Sequence, residues 1–224
     1  MKICALIPAF NEASHIAHVV EGARKHVESV IVIDDGSSDG TAELARNAGA
    51  FCIESPSNSG KAAALRRGFT HACAQNFTHA ITLDGDGQHL TQDIPVLLRA
   101  ARETDADLII GTRSFDRALM PRARYYSSTI GSRWASALAG RKINDSQSGF
   151  RLFRLDSLCR IKLRSQRYEF EMEALIKMGR AGCTIAHAPI HMVYDNGQAR
   201  SKMKPVRDTV RICLWSLAYR FLGA

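Results

Sequence analysis

The stretch Ile81 to His89 reads ITLDGDGQH: an apolar, β-prone run leads straight into two carboxylates, Asp84 and Asp86, separated by one glycine. Like charges this close repel and raise one another's pKa unless a cation or a set of donors lies between them. A divalent metal would remove that cost, with Asp84 and Asp86 as oxygen ligands. A plain turn is the alternative, because Asp-Gly dipeptides close many turns without any chemistry.

Other polar residues stand in the same relation to apolar runs. Asn11 and Glu12 follow KICALIPAF, Asp34 and Asp35 close SVIVIDD, and Arg113 follows ADLIIGT. Those runs, with AFCIES and HAITLDGD, alternate with the amphipathic segments HIAHVVEGARKH, TAELARNAG, KAAALRRGFTHACA and QDIPVLLRAAR. Nearly continuous apolar strands spaced by amphipathic helices predict an α/β fold, a mainly parallel sheet covered by helices on both faces. In such a sheet ligands bind at the carboxyl ends of the strands, where these polar residues collect. Beyond Arg113 the pattern changes. A helix over RYYSSTIGSRWASALAG, a turn at NDSQSGFR, a helix over EFEMEALIKMGRAG, a strand at CTIAHAPIHMVY and a closing helix over PVRDTVRICLWSLAYRFLG are expected. One domain over residues 1–224 is the simplest division, its halves 1–113 and 114–224 meeting where the pattern changes and the second ending in a helical elaboration.

The charge is unevenly distributed. Of a net +8, residues 1–111 hold 9 Lys+Arg against 14 Asp+Glu, and residues 112–224 hold 21 against 8. The basic half predicts an anionic partner: a nucleotide phosphate, a phospholipid surface or nucleic acid. The six cysteines are scattered without a C-x-x-C pair, which predicts reduced thiols, no zinc site and a cytosolic setting. No leader and no run of about 18 uncharged apolar residues is found, so the expectation is a chain that is cytoplasmic or peripheral at the inner face of a membrane.

Two nucleotide folds are excluded by their motifs. A dinucleotide-binding site wants G-x-G-x-x-G after the first strand, where this chain has PAFNEAS. A P-loop wants GxxxxGK[ST], and the sole GK, in NSGKAAAL, lacks the first glycine and the Ser/Thr. A sugar nucleotide whose diphosphate shares a metal with an acidic pair fits instead, because Mg²⁺ and Mn²⁺ take oxygen ligands from carboxylates, phosphates and water.

The pieces IPAFNEASHI, VIVIDDGSSDGT, NSGKAAALRRGF, LDGDGQH, IIGTR and DSQSGFR occur in an order that resembles the family 2 glycosyltransferases of GT-A fold, in the dolichol-phosphate mannose synthase-like branch. They span most of residues 1–155. The resemblance implies that Pro8, Asn11, Glu12 and Asp35 hold base and ribose, with Lys61 also on the donor. It implies that Asp84, Asp86 and Gln88 bind Mg²⁺ or Mn²⁺, and that Arg113, Arg124 and Ser128 lie near phosphate or acceptor. Ser148 and Arg151 would border the acceptor. Phe10 stands where these enzymes often have Tyr, and Ala62 where a second Gly often follows the Lys. The Q-x-x-R-W signature of processive synthases is absent, so a single transfer is expected.

Several residues keep two readings. His89 is a metal ligand or a helix-entry histidine. Asp145 and Arg151 serve the site, or merely open a turn and face solvent. Of Glu169, Glu171 and Glu173, spaced two apart, at most two can point into a site. A hydroxyl acceptor would need a base, with Glu169 or Glu171 the candidate and Glu171 assigned to catalysis; an ionised phosphate acceptor would need none. Lys202 and Lys204 belong to a basic loop that closes over the diphosphate or to a solvated one. The last helix, with Trp215 and Leu217 among Arg207, Arg211 and Arg220, packs in the core or lies on an anionic membrane. The leading expectation is a metal-dependent inverting transfer from a UDP- or GDP-linked sugar to a lipid-phosphate or other membrane-associated acceptor. A soluble or pigment-like hydroxyl acceptor is the alternative, and a nucleic-acid-binding protein, for which no motif is found, is the third reading.

Overall fold

A computed structural model describes residues 1–113, 122–165 and 169–191, without the side chains of 122–124. The Arg124 side chain, Lys202, Lys204 and the closing helix lie outside the described residues.

Seven strands form one sheet: β1 (Ile3–Ala9), β2 (Ser29–Asp34), β3 (Phe51–Glu54), β4 (His79–Thr82), β5 (Leu108–Arg113), β6 (Arg151–Arg154) and β7 (Ile185–Ile190). Their order is β3-β2-β1-β4-β6-β5-β7, drawing on residues from both sides of 113. All neighbours are parallel except that β6 runs antiparallel between β4 and β5. The helices are α1 (Ile16–Arg24), α2 (Thr41–Asn47), α3 (Lys61–Ala74), α4 (Ile94–Thr104), α5 (Arg122–Ala139), α6 (Leu155–Cys159) and α7 (Phe170–Arg180).

Strand alternation explains the layers. In β1, Cys4 and Leu6 join a core with α3, α5, α6 and α7, while Ile3, Ala5, Ile7 and Ala9 join a second core with α1, α2 and α4. Both faces are therefore covered, as the unbroken apolar strands predict, and the mainly parallel α/β architecture holds. β6 and α6 are the elements that the sequence pattern did not anticipate. One expectation about the cysteines is overturned: Cys73, near the end of α3, and Cys159, the last residue of α6, are paired as a disulfide across 86 residues. Sequence spacing carries no sign of that pair, because only the packing of α3 on α6 brings the two together.

Candidate functional site

The parallel strands β1, β2, β4 and β5 put Asn11, Asp35, Asp84 and Arg113 at one edge of the sheet. Because β6 is antiparallel it starts from that same edge, as the pairings Thr82 with Arg151 and Ile110 with Arg151 show. The loop 145–150 before it is thereby delivered beside Asp84. Thr82 Oγ1 donates to the Gly149 carbonyl at 2.7 Å, and a Cβ on Gly149 would lie 3.0 Å from Lys61 Nζ and 3.2 Å from Asp84 Oδ2. The position suits a residue without a side chain.

The loops after β1 and β2 are stitched to each other. Asn11, at φ 54°, accepts the Ser38 N–H on Oδ1 at 3.0 Å and donates its own N–H to Ser37 Oγ at 2.9 Å. The Glu12 N–H donates to Thr41 Oγ1 at 2.9 Å, and that of Ala13 to Asp39 Oδ2 at 3.0 Å. Asp34 accepts from the N–H and hydroxyl of Ser37. Pro8 is half-buried in β1, opposite Ile33 of β2. Asp35 is 3% exposed and carries four donors: Ser59 Oγ (2.7 Å) and Arg67 Nη2 (2.8 Å) on Oδ1, and the N–H groups of Ser59 (3.0 Å) and Gly60 (2.6 Å) on Oδ2. Burial opposes its ionisation, but these donors prevail and hold its carboxyl below the ordinary value. A nucleobase that bonds to Asp35 must therefore share or displace one of them. Gly36 permits the turn beneath: its φ is +81°, and a Cβ there would strike the Ser57 backbone at 2.8 Å.

Next to Gly60, Lys61 opens α3 and reaches across the edge. Its Nζ lies 2.6 Å from Asp84 Oδ1 and 2.8 Å from Glu171 Oε1, so one ammonium joins two carboxylates from β4's end and α7. Burial disfavours the charged amine, but Asp84 and Glu171 outweigh it and raise its pKa. Asp84 shows the complement: against its own burial, the Lys61 ammonium above all holds its carboxyl at about 2. Asp86 accepts the backbone N–H of Gln88 at 3.0 Å and its side-chain amide at 2.8 Å, so Gln88 orients Asp86. His89 accepts the Asp84 N–H on Nδ1 at 3.1 Å and packs its ring 5.2 Å from that of Phe150. That nitrogen thus carries no proton, in keeping with a pKa that burial lowers, and His89 fixes the Asp84 backbone.

Among the described residues no three or more His, Cys, Asp or Glu side chains form a metal cage. Two carboxylates at a strand end are nonetheless the usual protein share of a Mg²⁺ or Mn²⁺ site that phosphate oxygens and water complete. Asp84 and Asp86 fit that donor set, and the cation-seeking character of Asp84 is visible in its pairing with Lys61.

Four residues expected near phosphate or acceptor, Arg113, Ser128, Ser148 and Arg151, are buried and bonded to the protein itself. Arg113 grips Asp145 through Nε at 2.6 Å and Nη2 at 2.8 Å, and Asp145, with no exposure, also accepts the N–H groups of Gln147 (3.2 Å) and Ser148 (3.1 Å). Burial and the Arg113 charge act on Asp145 in opposite senses, and its pKa ends lowered. Arg151, 1% exposed, donates to the carbonyls of Ser148 (2.7 Å), Ser146 (2.8 Å) and Glu171 (2.7 Å), and burial brings its pKa down to about 10. Ser148 is also buried, its hydroxyl accepting the Phe150 N–H at 3.3 Å, and Ser128 donates to Gln147 Oε1 at 3.2 Å. Together they shape the 145–150 loop and fasten it to α7. Of the three glutamates, Glu171 faces the site, while buried Glu173 accepts the N–H groups of Arg164 and Ser165 and pairs with Lys177 at 2.7 Å. Ser59, Gly60, Arg67 and Gly149 were not singled out from the sequence, although all four lie inside motifs already quoted.

Residues 4–160 match the family described as Glycosyl transferase family 2. The undecaprenyl-phosphate mannosyltransferase of Micrococcus luteus is 30% identical over 238 residues, spanning 100% of this chain and 97% of the relative. The UDP-N-acetylglucosamine–dolichyl-phosphate N-acetylglucosaminyltransferase of Methanococcus voltae is 28% identical over 215 residues, 86% of each chain. Among solved structures, glucosyl-3-phosphoglycerate synthase of Mycobacterium tuberculosis with Mn²⁺, UDP and phosphoglyceric acid superposes with a TM-score of 0.73 at 19% identity, over 97% of this chain and 76% of that one. The fold is thus GT-A, and the chain belongs to the family 2 glycosyltransferases.

Proposed function

We propose that this glycosyltransferase moves one sugar, with inversion, from a nucleotide-diphosphate sugar to a polyprenyl phosphate. The observation that carries the reading is the commitment of Glu171 to Lys61, 2.8 Å away, while Glu169, the other candidate base, is buried at 6% exposure. A hydroxyl acceptor needs a base to take its proton, whereas a phosphate acceptor is already ionised and needs none. The two relatives above support the same class, since both are named for a polyprenyl-phosphate acceptor while differing in the sugar.

In this reading Asp84 and Asp86 hold Mg²⁺ or Mn²⁺, as Mn²⁺ and UDP occur together in the structural neighbour. A metal bound there would neutralise charge on the departing diphosphate. Gln88 orients Asp86 and His89 fixes the backbone of Asp84. Asp35, with Asn11, Glu12 and Pro8 nearby, receives base and ribose, and Arg67 and Ser59 keep Asp35 ionised for that contact. Lys61 supplies a cation beside the diphosphate, with Lys202 a further one. Arg113, Asp145, Ser148 and Arg151 hold the 145–150 loop so that its backbone walls the sugar side, and Arg124 and Ser128 lie on the acceptor side. No helix among the described residues is long and apolar enough to cross a membrane. The basic half is then what meets an anionic surface that carries the acceptor.

The test is sugar transfer from radiolabelled GDP-mannose, UDP-glucose and UDP-N-acetylglucosamine to undecaprenyl phosphate in anionic and in neutral vesicles, with 3-phosphoglycerate as a soluble hydroxyl-bearing acceptor. One donor should label the lipid in a reaction abolished by chelation, and faster in anionic vesicles. Label passing to 3-phosphoglycerate and not to lipid would overturn the acceptor class.

A further inference from the structure

Lys61 Nζ stands 2.6 Å from an oxygen of Asp84, one of the two carboxylates that fit a divalent metal. An ammonium and a divalent ion on one carboxylate repel each other, so the two compete there. Glu171 offers the ammonium a second carboxylate at 2.8 Å. We infer that Lys61 competes with the metal for Asp84, and that Glu171 is a positioning residue that keeps Lys61 in place when the metal takes Asp84. The inference rests on the metal reading proposed above and adds to it a role for Glu171 other than that of a base.

The main chain around the three side chains is anchored, so a rearrangement falls to the side chains, of which that of Lys61 is the longest. The Gly60 N–H is held by Asp35 at 2.6 Å, just before Lys61, and the Glu171 carbonyl is held by Arg151 at 2.7 Å. Asp84 is held through its N–H by His89 at 3.1 Å. On one side Gly149 closes the space, since a Cβ there would come within 3.0 Å of Nζ. The side chains of Lys61, Asp84 and Glu171 are 23%, 33% and 12% exposed, so a charge stripped of its partner is only partly compensated by water. The charges add in the same direction. Asp84, Asp86 and Glu171 against Lys61 leave two negative charges, which one divalent ion neutralises. With the metal on Asp84, Lys61 still has Glu171, which holds its ammonium at the site where an incoming diphosphate can meet it. Without Glu171, Lys61 would have to leave its sole carboxylate in this group for the metal to bind.

Opposite signs follow for two substitutions, and they separate this role from the others. Mn²⁺ binding is read from the electron paramagnetic resonance signal of the free ion, with and without UDP, on variants whose circular dichroism matches the parent. Lys61→Met should bind Mn²⁺ alone at least about tenfold more tightly, because a competing charge is gone. It should also lose most of the extra affinity that UDP confers. Glu171→Gln should bind Mn²⁺ alone several-fold more weakly. Lys61→Gln, which keeps a polar end, should repeat the gain of Lys61→Met and serves if the methionine variant does not fold. Unchanged Mn²⁺ affinity in Glu171→Gln, or weaker affinity in both the Lys61 and Glu171 variants, would overturn the inference while leaving the metal reading intact. No uptake of Mn²⁺ by the parent protein, with or without UDP, would remove the metal reading and the competition with it.

Discussion

Replacing Asp145 by Ala tests whether the buried pair, rather than a ligand, is what Arg113 serves. Asp145 is wholly buried and Arg113 is 8% exposed, with two short charge-assisted bonds at 2.6 and 2.8 Å between them. Removing the carboxylate leaves a guanidinium buried without it and strips the Gln147 and Ser148 N–H groups of their acceptor. Breaking a buried pair from one side costs about 3–5 kcal/mol, a large part of the roughly 5–15 kcal/mol that holds a domain together. Urea unfolding should show it. With a slope near 3 kcal/mol/M, the midpoint should fall by about 1 M or more. The double variant Arg113→Met with Asp145→Leu should regain much of the loss, because apolar residues of similar volume carry no uncompensated charge. A cost below about 1 kcal/mol for Asp145→Ala, at unchanged slope, would refute the structural role of the pair and return Arg113 to direct contact with phosphate.

Gly149→Ala should fold with stability within about 1–2 kcal/mol of the parent, because its new Cβ must push back Lys61 and Asp84 by a few tenths of an ångström. Its effect should fall on binding, with weaker Mn²⁺-UDP affinity in calorimetry; undiminished affinity would show that the loop does not confine the acidic pair. Stability should also fall in acid in two stages, measured by thermal midpoints between pH 8 and 2. His79 and His89 have pKa values lowered by burial, so the unfolded chain takes the proton first and stability is lost as pH drops below the ordinary histidine value of 6.5. Asp35, Asp84 and Asp145 have lowered pKa values, so their contribution is present above the ordinary carboxylate value of 3.8 and is lost as pH falls toward 2, where Asp84 titrates. A flat midpoint from pH 7 to pH 5 would refute the neutral, accepting state of His89.

The elements that could be read from the sequence are those whose local pattern and tertiary position agree. KAAALRRGFTHACA becomes α3 from end to end, and the apolar runs become β1 to β5; β1, β2, β4 and β5 are buried on both faces and need apolar residues almost throughout, whereas β3 is an exposed edge strand. RLFR could not be read that way. Arg151 and Arg154 flank two apolar residues, and a four-residue run with charged ends looks like the exit of a turn. In the fold, Leu152 and Phe153 enter opposite cores, and Arg151 is buried because three carbonyls receive its guanidinium. None of those carbonyls can be inferred from local sequence. The site divides along the same line. Its acidic pair announces itself through residue type and spacing, since two carboxylates one residue apart ask for a cation. That Lys61 supplies one, from a helix 23 residues earlier in the chain, follows only from the placement of β1, β4 and β6. The antiparallel β6 is the decisive step: it turns the chain back at the carboxyl edge, sets Gly149 against Asp84, and lets Arg151 fasten the start of α7 so that Glu171 reaches Lys61. A parallel strand in that slot would have begun at the far edge, and the loop before it would have been a sheet's length from the acids it encloses.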